Sequence, residues 1–166
     1  HKPLIVFTPK SLLSRPEAVS PHREFLAPSR FREVLPDPDA PAPDQVTRAV
    51  FCTGKVYYDL AACRKERNIA DTVIIRLEQI YPLAREQLTF LLAPYQKVRD
   101  FVWCQEEPSN MGAWGHLRNR LGHLFATSFR YAGRPPMACP AEGAKALHAA
   151  AQKRLLAAAF GPRAQS

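Results

Sequence analysis

From Val46 onward the chain alternates short apolar runs with stretches of helical spacing, and this alternation restricts the fold more than any other feature. Thr47-Arg48-Ala49-Val50-Phe51-Cys52-Thr53-Gly54 reads as a strand closing on a glycine turn. Lys55 to Ala62 then places apolar residues at helical spacing and ends in Arg64-Lys65-Glu66-Arg67, a composition that favours a helix C-terminus. A strand over Thr72–Leu77, a helix over Leu83–Leu92, a strand over Arg99–Cys104, a helix over Met111–Phe125 and a short strand over Ser128–Tyr131 follow. The last element is an alanine-rich helix over Pro140–Phe160. Such alternation predicts one α/β domain, a mostly parallel sheet with helices on both faces and right-handed crossovers.

The first 45 residues differ. Lys2 to Pro9 read as a short buried strand stopped by proline, with Leu4–Phe7 expected to be poorly paired or exposed if its neighbours lie elsewhere, and residues 9–45 are Pro-, Ser- and Arg-rich without periodicity. Pro36, Pro38, Pro41 and Pro43 stiffen the stretch, so residues 1–45 are expected to form a connecting strand and linker from a preceding domain. Residues 46–160 are the α/β domain and 161–166 a tail. The start at His1 rather than a methionine suggests a processed chain or a piece of a longer one.

Charge and cysteines bound the function. A net charge of +8 allows an anionic partner. The basic residues are scattered, with no run of five and no aromatic-interleaved signature, so a nucleic-acid partner is not expected. No segment has the roughly 20 apolar residues that cross a bilayer, so neither is a membrane. Cys52, Cys63, Cys104 and Cys139 are far apart without metal-ligand spacing, which points to a reducing compartment and no metal site.

Four segments fall at the carboxyl ends of the expected strands, where α/β sheets gather functional loops. These are Thr53-Gly54-Lys55, Glu78-Gln79, Gln105-Glu106-Glu107 and Gly133-Arg134-Pro135. The first can hold an anion at a helix N-terminus, although a tight turn suffices to explain it. Arg76 to Gln79 reads as a solvated edge or a subunit contact. Glu106 and Glu107 are adjacent on an extended chain and point to opposite sides, so they do not converge as an acid–base pair. No nucleophile–base set accompanies them, and His116, His123 and His148 fall on helical stretches. No catalytic residue is assigned.

Five colinear segments, Pro3–Leu13, Thr53–Leu60, Arg76–Pro82, Trp103–Trp114 and Tyr131–Pro135, resemble the C-terminal end of 2-oxoglutarate dehydrogenase, with 2-oxoadipate dehydrogenase a close relative. The resemblance runs from about Lys2 to Phe160. It implies a domain similar to the third domain of transketolase-like enzymes, an α/β sheet with one antiparallel edge strand. It further implies a non-catalytic dimerisation and regulatory role in a parent that decarboxylates 2-oxoglutarate and succinylates lipoamide. The parent's thiamine diphosphate and Mg²⁺ would be bound outside this chain. Its partners would be the upstream domains, a second copy in a homodimer and the dihydrolipoyl succinyltransferase component. Its compartment would be the cytoplasm of a bacterium or the mitochondrial matrix.

Some members bind acetyl-CoA on this domain, and the resemblance carries that site to Thr47, Cys63, Arg99 and Arg134, with Arg64 beside Cys63 as the candidate to compensate there. Cys63 stands where binding members have an arginine, and Gly133 occupies a second basic position. Interface roles are expected for Glu106, Glu107 and Trp114, with Trp103 and Trp114 largely buried. The alternative reading is a stand-alone basic α/β module for a CoA-like or nucleotide anion.

Overall fold

The computed structural model describes residues 2–5 and 9–162. Two compact units divide the chain between Phe31 and Arg32. In the first, Lys10–Ser14 and His22–Phe25 form 3₁₀ turns with no buried residue. Leu13, Val19 and Phe25 are exposed, and so are Leu4 and Ile5, which form no strand. The rest of the strand expected there, Val6 to Thr8, lies outside the described residues.

The second unit is built on five strands: β1 (Val34–Leu35), β2 (Arg48–Cys52), β3 (Thr72–Leu77), β4 (Asp100–Pro108) and β5 (Arg130–Arg134). Four helices accompany them: α1 (Val56–Glu66), α2 (Arg85–Leu92), α3 (Trp114–Phe125) and α4 (Lys145–Phe160). The strand order is β1-β3-β2-β4-β5; β1 pairs antiparallel with β3 and every other pairing is parallel.

Both faces of the sheet are covered, which is why β2, β3 and the first half of β4 are nearly unbroken apolar runs. Alternate residues serve opposite cores. Ala49, Phe51, Val73, Ile75 and Trp103 join Leu88, Leu117 and Leu121 beneath α2 and α3. Val50, Cys52, Ile74, Val102 and Cys104 join Leu60, Leu155 and Ala159 beneath α1 and α4. Trp103 is fully buried; its ring alone removes enough apolar surface to contribute several kcal/mol, about 4–6 at 25 cal/mol per Å². Phe51, Phe101, Phe125 and Phe129 pack with ring centroids 5.2 to 6.2 Å apart and seal one side of that core.

Within residues 32–45, read from sequence as linker, Val34 and Leu35 pair with β3. The Asp37 carboxylate is buried and accepts hydrogen bonds from the amide of Ile74 at 2.9 Å, from Arg64 Nη2 at 2.9 Å and from Arg64 Nη1. This ion pair holds β1 and its flanking prolines against α1 and β3. At the amino edge, Asp100 sits between Arg48 and Arg130. Both arginines also donate to the last carbonyls of α4: Arg48 to Phe160 at 2.7 Å and to Gly161 at 2.9 Å, and Arg130 to Ala158. Cations there complement the negative end of the helix dipole.

A candidate functional site at the carboxyl edge of the sheet

The parallel strands end in the four segments singled out above, and a distortion of β4 shapes their centre. Cys104 pairs with Ala132 and Pro108 with Arg134, so three residues of β4, Gln105 to Glu107, stand opposite Gly133 alone. The bulge turns Gln105 inward and leaves Glu106 and Glu107 out of the regular ladder with β5.

Gln105 is 1% exposed and fully bonded. Its Oε1 accepts from Trp103 Nε1 at 2.8 Å and from the Trp114 amide at 3.0 Å. Its Nε2 donates to the carbonyls of Met111 at 2.8 Å and of Glu107 and Pro108 at 3.2 Å. One side chain therefore ties the strand, the loop and the start of α3 together. Gly112, at φ 65, makes the turn, and a Cβ there would press within 3.0 to 3.1 Å of Gln105. Tyr131 closes the other side, its hydroxyl donating to Glu107 O at 2.9 Å and Arg134 O at 3.0 Å. Burial pushes this phenol up to about 12, so it stays a donor. It curls over Gly133, where a Cβ would lie 2.3 Å from the hydroxyl.

The two carboxylates part as expected from an extended chain. Glu106 accepts from Lys55 Nζ at 2.6 Å, on the α1 side. Glu107 is exposed, its Cβ beside Gly112 on the loop leading to α3. Arg134, 4% exposed, donates to Glu142 Oε1 at 2.7 Å and to the Glu106 carbonyl, with His148 Nδ1 at 3.1 Å from its Nη2. The hydrogen bond from Arg134 holds the Glu142 carboxyl below its ordinary range. Glu106, Arg134 and Glu142 thus form a neutralised, hydrogen-bonded array.

The positions suggested for acetyl-CoA occupy different places. Thr47 and Arg99 are neighbours at the amino edge, where Thr47 O accepts the Arg99 amide at 2.9 Å. Thr47 Oγ1 lies 3.4 Å from Asp71 Oδ2, and Arg99 donates to the carbonyls of Gln96 and Val98 at 2.9 Å. Arg64 is spent on Asp37 and on Thr72 O at 3.2 Å. Arg134 lies at the opposite edge, some eight strand residues and about 25 Å from Arg99. Cys63 is buried.

Of the interface candidates, Glu106 is engaged by Lys55, Glu107 projects outward, and Trp114 is half-buried with its ring 5.3 Å from Tyr131. Trp103 is buried outright. Cys52 and Cys104 are register partners on the α1 face. Burial raises both thiols far above their ordinary range, so neither supplies a thiolate. Among the described residues, no three His, Cys, Asp or Glu side chains come together as a metal-ligand set. His116 stands with its ring 6.0 Å from Tyr81, while His123 and His148 are exposed on α3 and α4. Two arrangements escaped the sequence reading. Gln105 looks there like any polar residue at a strand end, and Arg76 gives no local sign that its guanidinium packs on Tyr57 at 4.2 Å.

A mostly parallel five-stranded sheet, helices on both faces and one antiparallel edge strand make this an α/β domain consistent with the third domain of transketolase-like enzymes. The sequence model of the family described as 2-oxoglutarate dehydrogenase C-terminal matches residues 19–160, and the chain belongs to that family. It is similar to the 2-oxoglutarate dehydrogenase E1 component of Cupriavidus necator, 45% identical over 162 residues. The E1 component of Azotobacter vinelandii is 44% identical over 165 residues, and mitochondrial 2-oxoglutarate dehydrogenase of Caenorhabditis elegans 42% over 167. These matches cover 96%, 96% and 97% of this chain but 17%, 17% and 16% of the relatives, so the chain spans a minor part of their length. No helix among the described residues is long and apolar enough to cross a membrane.

Proposed function

We propose that this chain serves as the C-terminal region of a 2-oxoglutarate dehydrogenase E1 component, where it buttresses a homodimer and contributes no catalytic group. The enzyme it completes would oxidatively decarboxylate 2-oxoglutarate and pass the succinyl group to lipoamide on a dihydrolipoyl succinyltransferase partner. It would work in the cytoplasm of a bacterium or in the mitochondrial matrix. Thiamine diphosphate and Mg²⁺ would be held by the upstream domains. The described residues of this chain do not fit either group: they offer no convergent metal-ligand set, and the carboxylates of the carboxyl edge are engaged or splayed apart.

The observation that carries the non-catalytic reading is the state of the Gln105–Glu107 bulge. Glu106 is neutralised by Lys55, Glu107 faces outward, and the backbone between them is bonded to Gln105, Tyr131 and Arg134. Such a loop is preformed and rigid, with one outward carboxylate and a half-buried tryptophan beside it, features suited to contact with protein.

The test uses a full-length E1 component carrying this region. Glu106→Gln together with Glu107→Gln is expected to leave kcat for 2-oxoglutarate within about threefold, because loss of a general acid or base costs about 10²- to 10⁴-fold. Trp114→Ala is expected to weaken the dimer in sedimentation velocity. A hundredfold fall in kcat with the dimer intact would place the carboxylates in the chemistry. A dimer unmoved by Trp114→Ala would remove this edge from the interface.

A further inference from the structure

Arg76 is a cation provided with an aromatic platform and, among the described residues, no hydrogen-bond acceptor. It lies on β3 in register with Cys52 of β2 and Leu35 of β1, one residue before the carboxyl end of its strand. Its guanidinium carbon stands 4.2 Å above the Tyr57 ring and 5.9 Å from that of Tyr58, in the first turn of α1. The two rings meet edge to face at 5.2 Å, so the platform is itself braced. Tyr57 is 8% exposed, and burial raises its phenol above its ordinary range; the ring therefore stays neutral under the cation.

The guanidinium nevertheless makes no hydrogen bond. Its buried Nε has no hydrogen-bond partner among the described residues, and its ion-pair neighbour, Glu78, approaches Nε only to 3.5 Å. The Arg76 side chain is 20% exposed, which leaves its outer edge open to solvent. Other arginines of this sheet show what the same group does when its acceptors lie within the domain. Arg64 forks onto Asp37, while Arg134 and Arg48 donate Nε to Glu142 and Asp100 respectively, and all three make further bonds to carbonyls. Among the described residues, Arg76 is set in one orientation by stacking, with its donors unspent.

We propose that Arg76, held on the Tyr57 ring at the carboxyl end of β3, is the receptor for a carboxylate group. The planar fork of Arg matches the two oxygens of a carboxylate, and stacking fixes the fork before the ligand arrives. Position agrees with chemistry, since the site lies at the carboxyl edge of a parallel sheet, beside the Gly54 turn that opens α1. A dianionic phosphate suits it less well. Glu78 stands next to the guanidinium, and Asp37 bears on the same corner of the sheet. Their negative field tolerates one added charge better than two. The carboxylate comes either from a small acid in solution or from an Asp or Glu side chain of the longer protein. Only the second source rests on the proposed function.

Phenylglyoxal, which attacks the outer nitrogens of arginine, tests this with peptide mass mapping. Exposed Arg85 serves as an internal reference. In this chain, sodium acetate at saturating concentration is expected to slow modification of Arg76 about tenfold relative to sodium chloride at equal ionic strength, with Arg85 unchanged. Glu78→Gln is expected to lower the acetate concentration needed, because it removes the competing charge, whereas a purely structural stack would show no acetate dependence to shift. The same mapping on a full-length E1 component sorts the sources. Protection of Arg76 without added acid assigns the carboxylate to the protein, and protection only with acetate assigns it to solution. Equal modification of Arg76 in acetate and chloride, in this chain and in the full-length protein alike, would overturn the proposal, and retained E1 activity in that case would leave the proposed function standing.

Discussion

Replacing Gln105 by leucine tests whether one buried amide holds the carboxyl-edge loop. Leucine keeps most of the volume and removes all five hydrogen bonds that Gln105 makes. The cost lies in what is left behind. Trp103 Nε1 is fully buried and loses its acceptor, and the Trp114 amide at the start of α3 loses its own. Each buried donor left unsatisfied costs about 1–3 kcal/mol, and the loop carbonyls of Glu107 and Met111 reach water at smaller cost. The expected loss is about 2–5 kcal/mol, or roughly 8–20 °C in Tm for a unit of this size at about 4 °C per kcal/mol. Glutamate at the same position separates the halves of the network. It keeps the acceptor for Trp103 but sets a carboxylate against the Met111, Glu107 and Pro108 carbonyls, so Gln105→Glu should destabilise at least as much at neutral pH and less in acid. Thermal unfolding gives the magnitude, and hydrogen exchange at the Trp103 indole and the Trp114 amide gives the location. A loss under about 1 kcal/mol with both protons exchanging as in the parent would refute the reasoning.

Three further outcomes can be checked by unfolding experiments. Arg64→Met strands the Asp37 carboxylate in the interior and should cost about 3–5 kcal/mol, with the Arg64→Met, Asp37→Leu double variant recovering part of it; an equal loss in the double variant would deny the coupling. Burial alone would raise the Asp100 pKa, but hydrogen bonds from Arg130 and Arg48 outweigh it and hold the carboxyl below its ordinary range. Its stabilisation is therefore complete above the unfolded value of 3.8 and lost as pH falls through the lower folded value, so Asp100→Asn should flatten the acid limb of a stability–pH curve. Ala126 closes α3 at φ 50, where glycine carries no steric cost, so Ala126→Gly should raise stability by about 0.5–1 kcal/mol; a loss would show that its methyl packs.

The elements most legible in the sequence are those whose signal is local. Thr72–Leu77 emerged with its bounds intact, because a run of β-branched residues ending in charge has no helical alternative. Errors collect where a distant side chain decides. The α3 helix begins at Trp114 rather than Met111, since Gln105 captures the Met111 carbonyl and Gly112 turns the chain at positive φ. The α4 helix begins at Lys145 rather than Pro140, with the preceding loop held through Glu142 on Arg134. β5 runs from Arg130 through Gly133 to Arg134 rather than over Ser128–Tyr131; the missing Cβ of Gly133 makes room for the Tyr131 hydroxyl. β1 is two residues long in a proline-rich stretch, and the ion pair that secures it joins residues 27 apart. At the site, the splaying of Glu106 and Glu107 follows from extended backbone alone. The stacking of Arg76 on Tyr57, with no hydrogen bond to any described residue, is visible only once its neighbours have been placed.

The clamp that joins Arg48 to the carbonyls of Phe160 and Gly161 spans 112 and 113 positions of sequence. Synthesis runs from the amino terminus at about 5–20 residues per second, so the arginine of β2 is made several seconds before the helix end it caps. Through that interval the face of the sheet that α4 covers has no lid, and Val102, Cys104 and Ala132 are open to water or to other chains. Completion of this domain therefore waits on the arrival of α4, which closes the second core. A chain cut after Ala144 would keep the whole sheet but leave its second core with only α1 to cover it.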